Sequence, residues 1–269
     1  MGHWKTDRAV ELTPANLAAL FANQVPAIRV PDFATADECR AFAKAVKRHE
    51  MKTVIGERQV AVEAFASQRI EHLGLTQAEY KLRGVDAYLD ASKVAQAQVS
   101  DVCAASFDPL ARLIATLQAN VKGQVGIARE PDGRPYFCGI IRNSNNGLML
   151  HADFALYQAP QYAIARVEAQ IVCNFYVETP AKAGVTTLHD APWQWQPSVP
   201  GEVAENYPLP ESLVVGAPTF SFEPRAGEAY IFNTRNPHQV APSAPDGKDR
   251  LAIACFIGRL PEGDLVLWS

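Results

Sequence analysis

Residues 135–154 constrain the fold of this chain more than any other stretch. Pro135-Tyr-Phe-Cys-Gly-Ile-Ile-Arg142 is rich in strand formers, Asn143-Ser-Asn-Asn-Gly147 is a turn cluster ending in Asn-Gly, and Leu148-Met-Leu-His-Ala-Asp-Phe154 resumes an apolar run. That punctuation reads as a β-hairpin. Downstream, Gly227–Phe232 reads as a further strand and His238-Gln-Val-Ala241 opens another. Pro242–Asp249 is a polar loop, and Arg250–Ile257 is a strand again. The C-terminal half is therefore expected to be an antiparallel β region.

His151 and Asp153 stand at i and i+2 in the second arm, so on a strand their side chains share one face. An H-x-D tripeptide is common by chance and carries little weight alone. Its weight here comes from the β setting and from His238, a third imidazole at the head of a distant strand. Two imidazoles and one carboxylate form the facial triad that suits non-haem Fe(II) and leaves positions open for a co-substrate and dioxygen. His151, Asp153 and His238 are thus the candidate metal ligands. Arg250 begins an apolar strand, where a guanidinium must be paired if it is buried. Its fork matches a carboxylate, which makes it the candidate anchor for the distal carboxylate of 2-oxoglutarate. Arg142, at the end of the first arm, is a second candidate for the same co-substrate, and equally a turn-flanking residue that faces water.

These residues resemble the iron(II)/2-oxoglutarate-dependent oxygenases, whose double-stranded β-helix carries H-x-D, a distal His and an Arg beyond it. The stretch Pro224-Arg-Ala-Gly-Glu-Ala-Tyr-Ile-Phe232 before His238 matches the approach of that fold to its second histidine. Within the superfamily the chain is most similar to the branch of halogenases acting on free indole alkaloids, to which the hydroxylases of N-substituted amino acids are related. Gly139-Ile-Ile-Arg142, Asp153-Phe-Ala-Leu156, Trp193-Gln-Trp-Gln-Pro197 and Leu267-Trp-Ser269 carry that likeness, which covers residues 135–269 well and the N-terminal half loosely. The halogenases have Gly where this chain has Asp153, and the missing carboxylate opens a position for chloride. With the carboxylate present, the resemblance implies hydroxylation rather than halogenation, with desaturation, epoxidation or ring closure as further outcomes. It also implies a free small-molecule substrate, such as an amino-acid derivative or natural product. Residues Arg69–Tyr88 would form the likeliest wall of its pocket, where Arg69 and Arg83 could meet a substrate carboxylate or simply face solvent.

The expected architecture is a single domain over 1–269, mainly β with flanking helices. Its double-stranded β-helix (jelly-roll, cupin-like) core spans 135–269, and the flanking and lid elements of 1–134 are mostly helical. A chain of 269 residues buries enough surface for a substantial core. In the N-terminal half a helix is expected in the run from Leu12, a strand at Val25–Pro31, and a capped helix from Thr35 through Val46. Thr76-Gln-Ala-Glu79 reads as another helix start, and Asp101–Leu117 as an amphipathic helix; residues 60–75 are ambiguous.

A net charge of −4 argues against a general affinity for nucleic acid or anionic membrane. No run of about eighteen apolar residues suggests a membrane span, and the polar Met1–Arg8 lacks a signal-peptide core. A cytoplasmic enzyme is expected, its partners a small-molecule substrate and dioxygen. Cys39, Cys103, Cys138, Cys173 and Cys255 form no C-x-x-C and read as reduced apolar side chains.

His3 and His49 read as solvated, while His72 sits in a loop-like stretch and could face a substrate. His189-Asp190 is a rival ligand pair, but neighbours on a strand face opposite sides. Trp193 and Trp195 read as packing, and one of Asn174 and Tyr176 is expected at the co-substrate. Two other classes stay open: a cupin-like metal enzyme that does not use 2-oxoglutarate, and a non-catalytic metal-stabilised barrel.

Overall fold

In a computed structural model the chain is described over residues 2–53, 70–80, 83–199, 202–205, 207–244 and 246–269. Helices α1 (Pro14–Phe21) and α2 (Ala36–Val46) begin where expected. Thr13 Oγ1 caps the first by accepting from the Asn16 N–H at 3.1 Å. Thr35 and Glu38 cap the second reciprocally: the Thr35 hydroxyl accepts from Glu38 N–H and the Glu38 carboxylate from Thr35 N–H. Helix α3 (Val85–Ala104) follows Gly84, whose φ of +86° is left-handed, and α4 (Pro109–Gln118) follows it. One further helical turn, α5, spans Ala155–Gln158.

Two sequence expectations are corrected here. Asp101–Leu117 is not one helix, because Asp108 turns extended ahead of Pro109 and its carboxylate caps the Leu110 and Ala111 N–H groups, both at 2.9 Å. Thr76-Gln-Ala-Glu79 opens only a 3-10 turn, Gln77–Tyr80, although Glu79 does accept from the Thr76 N–H at 2.9 Å.

Thirteen strands are described: β1 (Ala27–Val30), β2 (Lys52–Thr53), β3 (Glu71–Leu73), β4 (Val125–Ile127), β5 (Ile140–Asn143), β6 (Leu148–His151), β7 (Ala169–Glu178), β8 (Thr186–His189), β9 (Thr219–Phe222), β10 (Ala229–Asn233), β11 (His238–Val240), β12 (Leu251–Arg259) and β13 (Leu265–Trp268). Nine join one sheet along the path β1-β10-β7-β12-β5-β3-β2, with β13 also on β12 and β4 parallel to β13; every other pairing is antiparallel. The remaining four form an antiparallel sheet in the order β6-β11-β8-β9. The described N-terminal half carries α1–α4 together with the short strands β1–β4, and all four of these strands enter the large sheet.

Strand β7 has the nearly continuous apolar pattern of a strand buried on both faces. Ile171, Cys173 and Phe175 pack in the core shared with the helices, whereas Val172 and Tyr176 pack with Leu188 and Phe222 of the small sheet. Between the two sheets lies a cavity of about 710 Å³ including its open mouth.

The expected hairpin over 135–154 is a turn between sheets instead. The turn closes as expected, Gly147 N–H donating to Ser144 O at 3.0 Å. Both edges of β5 are already occupied, by β12 and β3, so β6 departs to pair with β11. Gly147 is required at the crossing: its φ is +78°, and a Cβ there would lie 2.4 Å from the Val240 carbonyl oxygen.

Candidate metal centre

The crossing sets His151 at the end of β6 directly opposite His238 at the start of β11. Their ring centroids are 4.1 Å apart. Asp153 lies two residues beyond β6, its N–H donating to Thr234 O at 2.8 Å, which turns its carboxylate toward the imidazoles. One donor atom each from His151, Asp153 and His238 fall within 4.8 Å of one another. The Nδ1 atoms of the two rings are engaged by the backbone, His151 with Met149 O at 2.8 Å and His238 with Asn236 O at 3.0 Å. Each Nδ1 must carry the proton to donate to a carbonyl, which leaves the Nε2 lone pairs for a metal. Burial, with His151 alongside, pushes His238 well below the usual histidine range, so it stays neutral as a ligand requires. The donor set fits a divalent ion.

Arg250 lines the same cavity and is 4% exposed. Nη1 donates to Ser144 Oγ at 2.7 Å and Nη2 to Thr186 Oγ1 at 2.9 Å, and the guanidinium lies 5.2 Å from the Tyr176 ring centroid. Its Nε is buried without a partner, and no carboxylate forms an ion pair with it among the described residues. The arrangement is a fixed cation lacking its anion. Arg142 lines the cavity too, from the opposing position to Ala252 on β12. Burial pushes its guanidinium below the ordinary arginine value, against the opposing pull of Asp153 and Glu79. Asn174 and Tyr176 both face the cavity.

No family model matches the chain. L-γ-glutamyl-L-propargylglycine hydroxylase of Streptantibioticus cattleyicolor is 34% identical over 141 residues, 51% of this chain and 50% of that protein. The match thus spans half the length of that relative. Leucinostatins biosynthesis cluster protein S of Purpureocillium lilacinum is 28% identical over 207 residues, 73% of this chain and 84% of the relative. Among solved structures, an N-substituted L-amino acid dioxygenase from Burkholderia ambifaria AMMD, in complex with α-ketoglutarate, superposes with a TM-score of 0.58 at 12% identity, covering 95% of this chain and 91% of its own. The epimerase SnoN, in complex with Fe3+, α-ketoglutarate and nogalamycin RO, gives 0.52 at 15% identity, covering 90% and 83%. The fold is that of the iron(II)/2-oxoglutarate-dependent oxygenases.

Within this oxygenase fold several contributors lie outside the motifs read from sequence. Tyr207 sets its ring 5.4 Å from that of His151 and accepts the Met149 N–H at 3.1 Å. Its segment packs over β6 through Leu150, Ala152, Trp193, Ala204, Leu209 and Val214, which confirms Trp193 as packing. His72 is on β3 rather than in a loop; it is buried, with Nε2 3.2 Å from Glu79 Oε1, and does not line the cavity. Arg69 lies outside the described residues.

The rival pair His189-Asp190 is split as strand parity requires. Both ring nitrogens of His189 are buried with no hydrogen-bond partner among the described residues, while the buried Asp190 carboxylate accepts the His3 and Trp4 N–H groups and Asn23 Nδ2. His3 is therefore not merely solvated, its Nδ1 lying 3.0 Å from Asp190 Oδ1. Asn23 Oδ1 in turn accepts from Asn236 Nδ2 at 2.6 Å, tying this cluster to the residue whose carbonyl orients His238. Asp190→Ala leaves the buried Asn23 amide and two part-buried backbone N–H groups without their acceptor and is expected to cost about 2 kcal/mol. A thermal unfolding midpoint equal to the parent's would refute it.

Proposed function

We propose that this protein is an Fe(II)/2-oxoglutarate-dependent dioxygenase that hydroxylates an unactivated C–H bond of a free small molecule, an amino-acid derivative or related natural product. The observation that carries this reading is the joint occupancy of one cavity by three donor atoms within 4.8 Å and a buried guanidinium that lacks a carboxylate. His151, Asp153 and His238 would hold the metal, and Arg250 the distal carboxylate of 2-oxoglutarate. When bound, iron and 2-oxoglutarate supply oxidation of the substrate by dioxygen, coupled to decarboxylation of the co-substrate to succinate and carbon dioxide.

The residues of the chain do the positioning. The backbone carbonyls of Met149 and Asn236 fix the orientation and tautomer of the two imidazoles. Ser144 and Thr186 hold the Arg250 fork in place before any ligand arrives, which lowers the ordering cost of binding. With iron held by the triad, the Asp153 carboxylate would take the position that a chloride would need, which favours hydroxylation. The name of the hydroxylase relative agrees with this choice, and a double-stranded β-helix agrees with the two facing sheets.

The reading is tested by succinate formation from 2-oxoglutarate in air by anaerobically iron-loaded protein. Succinate that depends on both iron and 2-oxoglutarate supports it. Tight iron binding with no 2-oxoglutarate binding or turnover overturns it.

A further inference from the structure

Arg142 and Arg250 project into one cavity from different levels of the barrel. Register places Arg142 opposite Ala252, two residues along β12 from Arg250, or about 7 Å of strand rise. Ser144 and Thr186 hold Arg250, but Arg142 makes no hydrogen bond or ion pair among the described residues. It stays charged, as arginine does in proteins. The nearest acidic groups that act on it are Asp153, a candidate metal ligand, and Glu79, already tethered by the Thr76 N–H and by His72. Beyond Arg142 the wall contributed by the large sheet is mostly apolar: Ile140, Val172, Phe232, Ala254 and Phe256, interrupted by Asn174.

2-Oxoglutarate has two carboxylates. If one sits on the metal and the other on Arg250, the Arg142 guanidinium is left over, facing an apolar space. A half-buried cation lining the cavity in that position calls for an anion brought by another ligand.

We propose that Arg142 anchors the carboxylate of the primary substrate, so that the cavity takes a small carboxylic acid with an apolar arm beside the co-substrate. The assignment rests on the co-substrate reading of Arg250 and deepens it by naming the substrate class. It also separates the two arginines that the sequence assigned together.

The test compares N-acetyl-L-norvaline and N-acetyl-L-leucine with their carboxamides, which keep the apolar arm and lose the charge. Binding is followed by calorimetry on the full chain, anaerobically, with iron and 2-oxoglutarate present and again with neither. Wild-type protein is expected to bind at least one acid tenfold or more tighter than its amide, and Arg142→Gln to erase that difference. Arg142→Gln should also weaken the acid at least tenfold more than it weakens 2-oxoglutarate, while Arg250→Ala should show the reverse ranking.

Amides bound as well as acids, or no acid bound at all, overturn the proposal. So does an Arg142→Gln protein whose loss falls mainly on 2-oxoglutarate, which would return this residue to the co-substrate. If wild-type protein binds no 2-oxoglutarate, the reading of Arg250 fails separately. An acid–amide difference that persists without iron and is erased by Arg142→Gln would still uphold the subsite.

Discussion

Asp153→Ala is expected to abolish iron-dependent succinate formation and to weaken metal affinity by more than about a hundredfold, because loss of even an outer partner of a metal ligand costs roughly 10- to 100-fold. Asp153 supplies the one anionic donor of the three; what remains are two neutral imidazoles facing each other at 4.1 Å. The fold should survive, because the Asp153 N–H keeps its bond to Thr234 O and the Gln158 Nε2 bond to the carboxylate is long, at 3.5 Å. An unchanged far-ultraviolet circular dichroism spectrum together with lost iron binding is the signature sought. His151→Ala and His238→Ala should reach the same endpoint. The two backbone carbonyls at 2.8 Å and 3.0 Å then lose the imidazoles they orient, so a small stability loss accompanies each. If Asp153→Ala retains iron within tenfold of the parent, the carboxylate is not a ligand and the triad is wrong.

The grouping of His151, Asp153 and His238 was legible in part: an i, i+2 spacing at a strand end kept the first two together, although Asp153 lies just beyond β6, and His238 does open a strand. The Thr35–Glu38 capping box was legible because its logic is local. Other features depend on which chain segments meet, and no local pattern encodes that. The Asn-Gly turn after Arg142 signals a reversal, but whether the second arm returns to the first depends on whether the first has a free edge. Here β12 and β3 occupy both edges of β5, so the arms part into different sheets. Ser144 and Thr186 likewise acquire meaning only when Arg250 arrives between them, at sequence separations of 106 and 64. Tyr207 and Asp190 lie in loops whose contacts with His151 and with the N-terminal residues have no periodic signature. The break at Asp108-Pro109 is different: an acidic cap followed by proline at the first helical position is a written stop and start. The apolar periodicity that runs across it obscured that signal.

Arg250→Ala is expected to weaken 2-oxoglutarate binding by roughly thirtyfold or more, since truncating one partner of a buried, hydrogen-bonded charge pair costs about 2–5 kcal/mol and 1.4 kcal/mol is tenfold. The size of the effect follows from burial: at 4% exposure the guanidinium is little screened by water, and its two Nη groups are already directed by hydroxyls at 2.7 and 2.9 Å. Arg250→Lys should fall between parent and alanine variant, because it keeps the charge but loses the planar fork and its bond to Thr186 or Ser144. Thr186→Val should cost less than either, since it removes one positioning hydroxyl and leaves the cation. Titration of 2-oxoglutarate into anaerobic iron-loaded protein gives all three affinities. The ranking alanine, lysine, valine in decreasing loss is what a carboxylate on the fork requires. Equal affinities across the series, with iron still bound, would mean that the cation faces no co-substrate. The metal chemistry would then have to run without a 2-oxoacid.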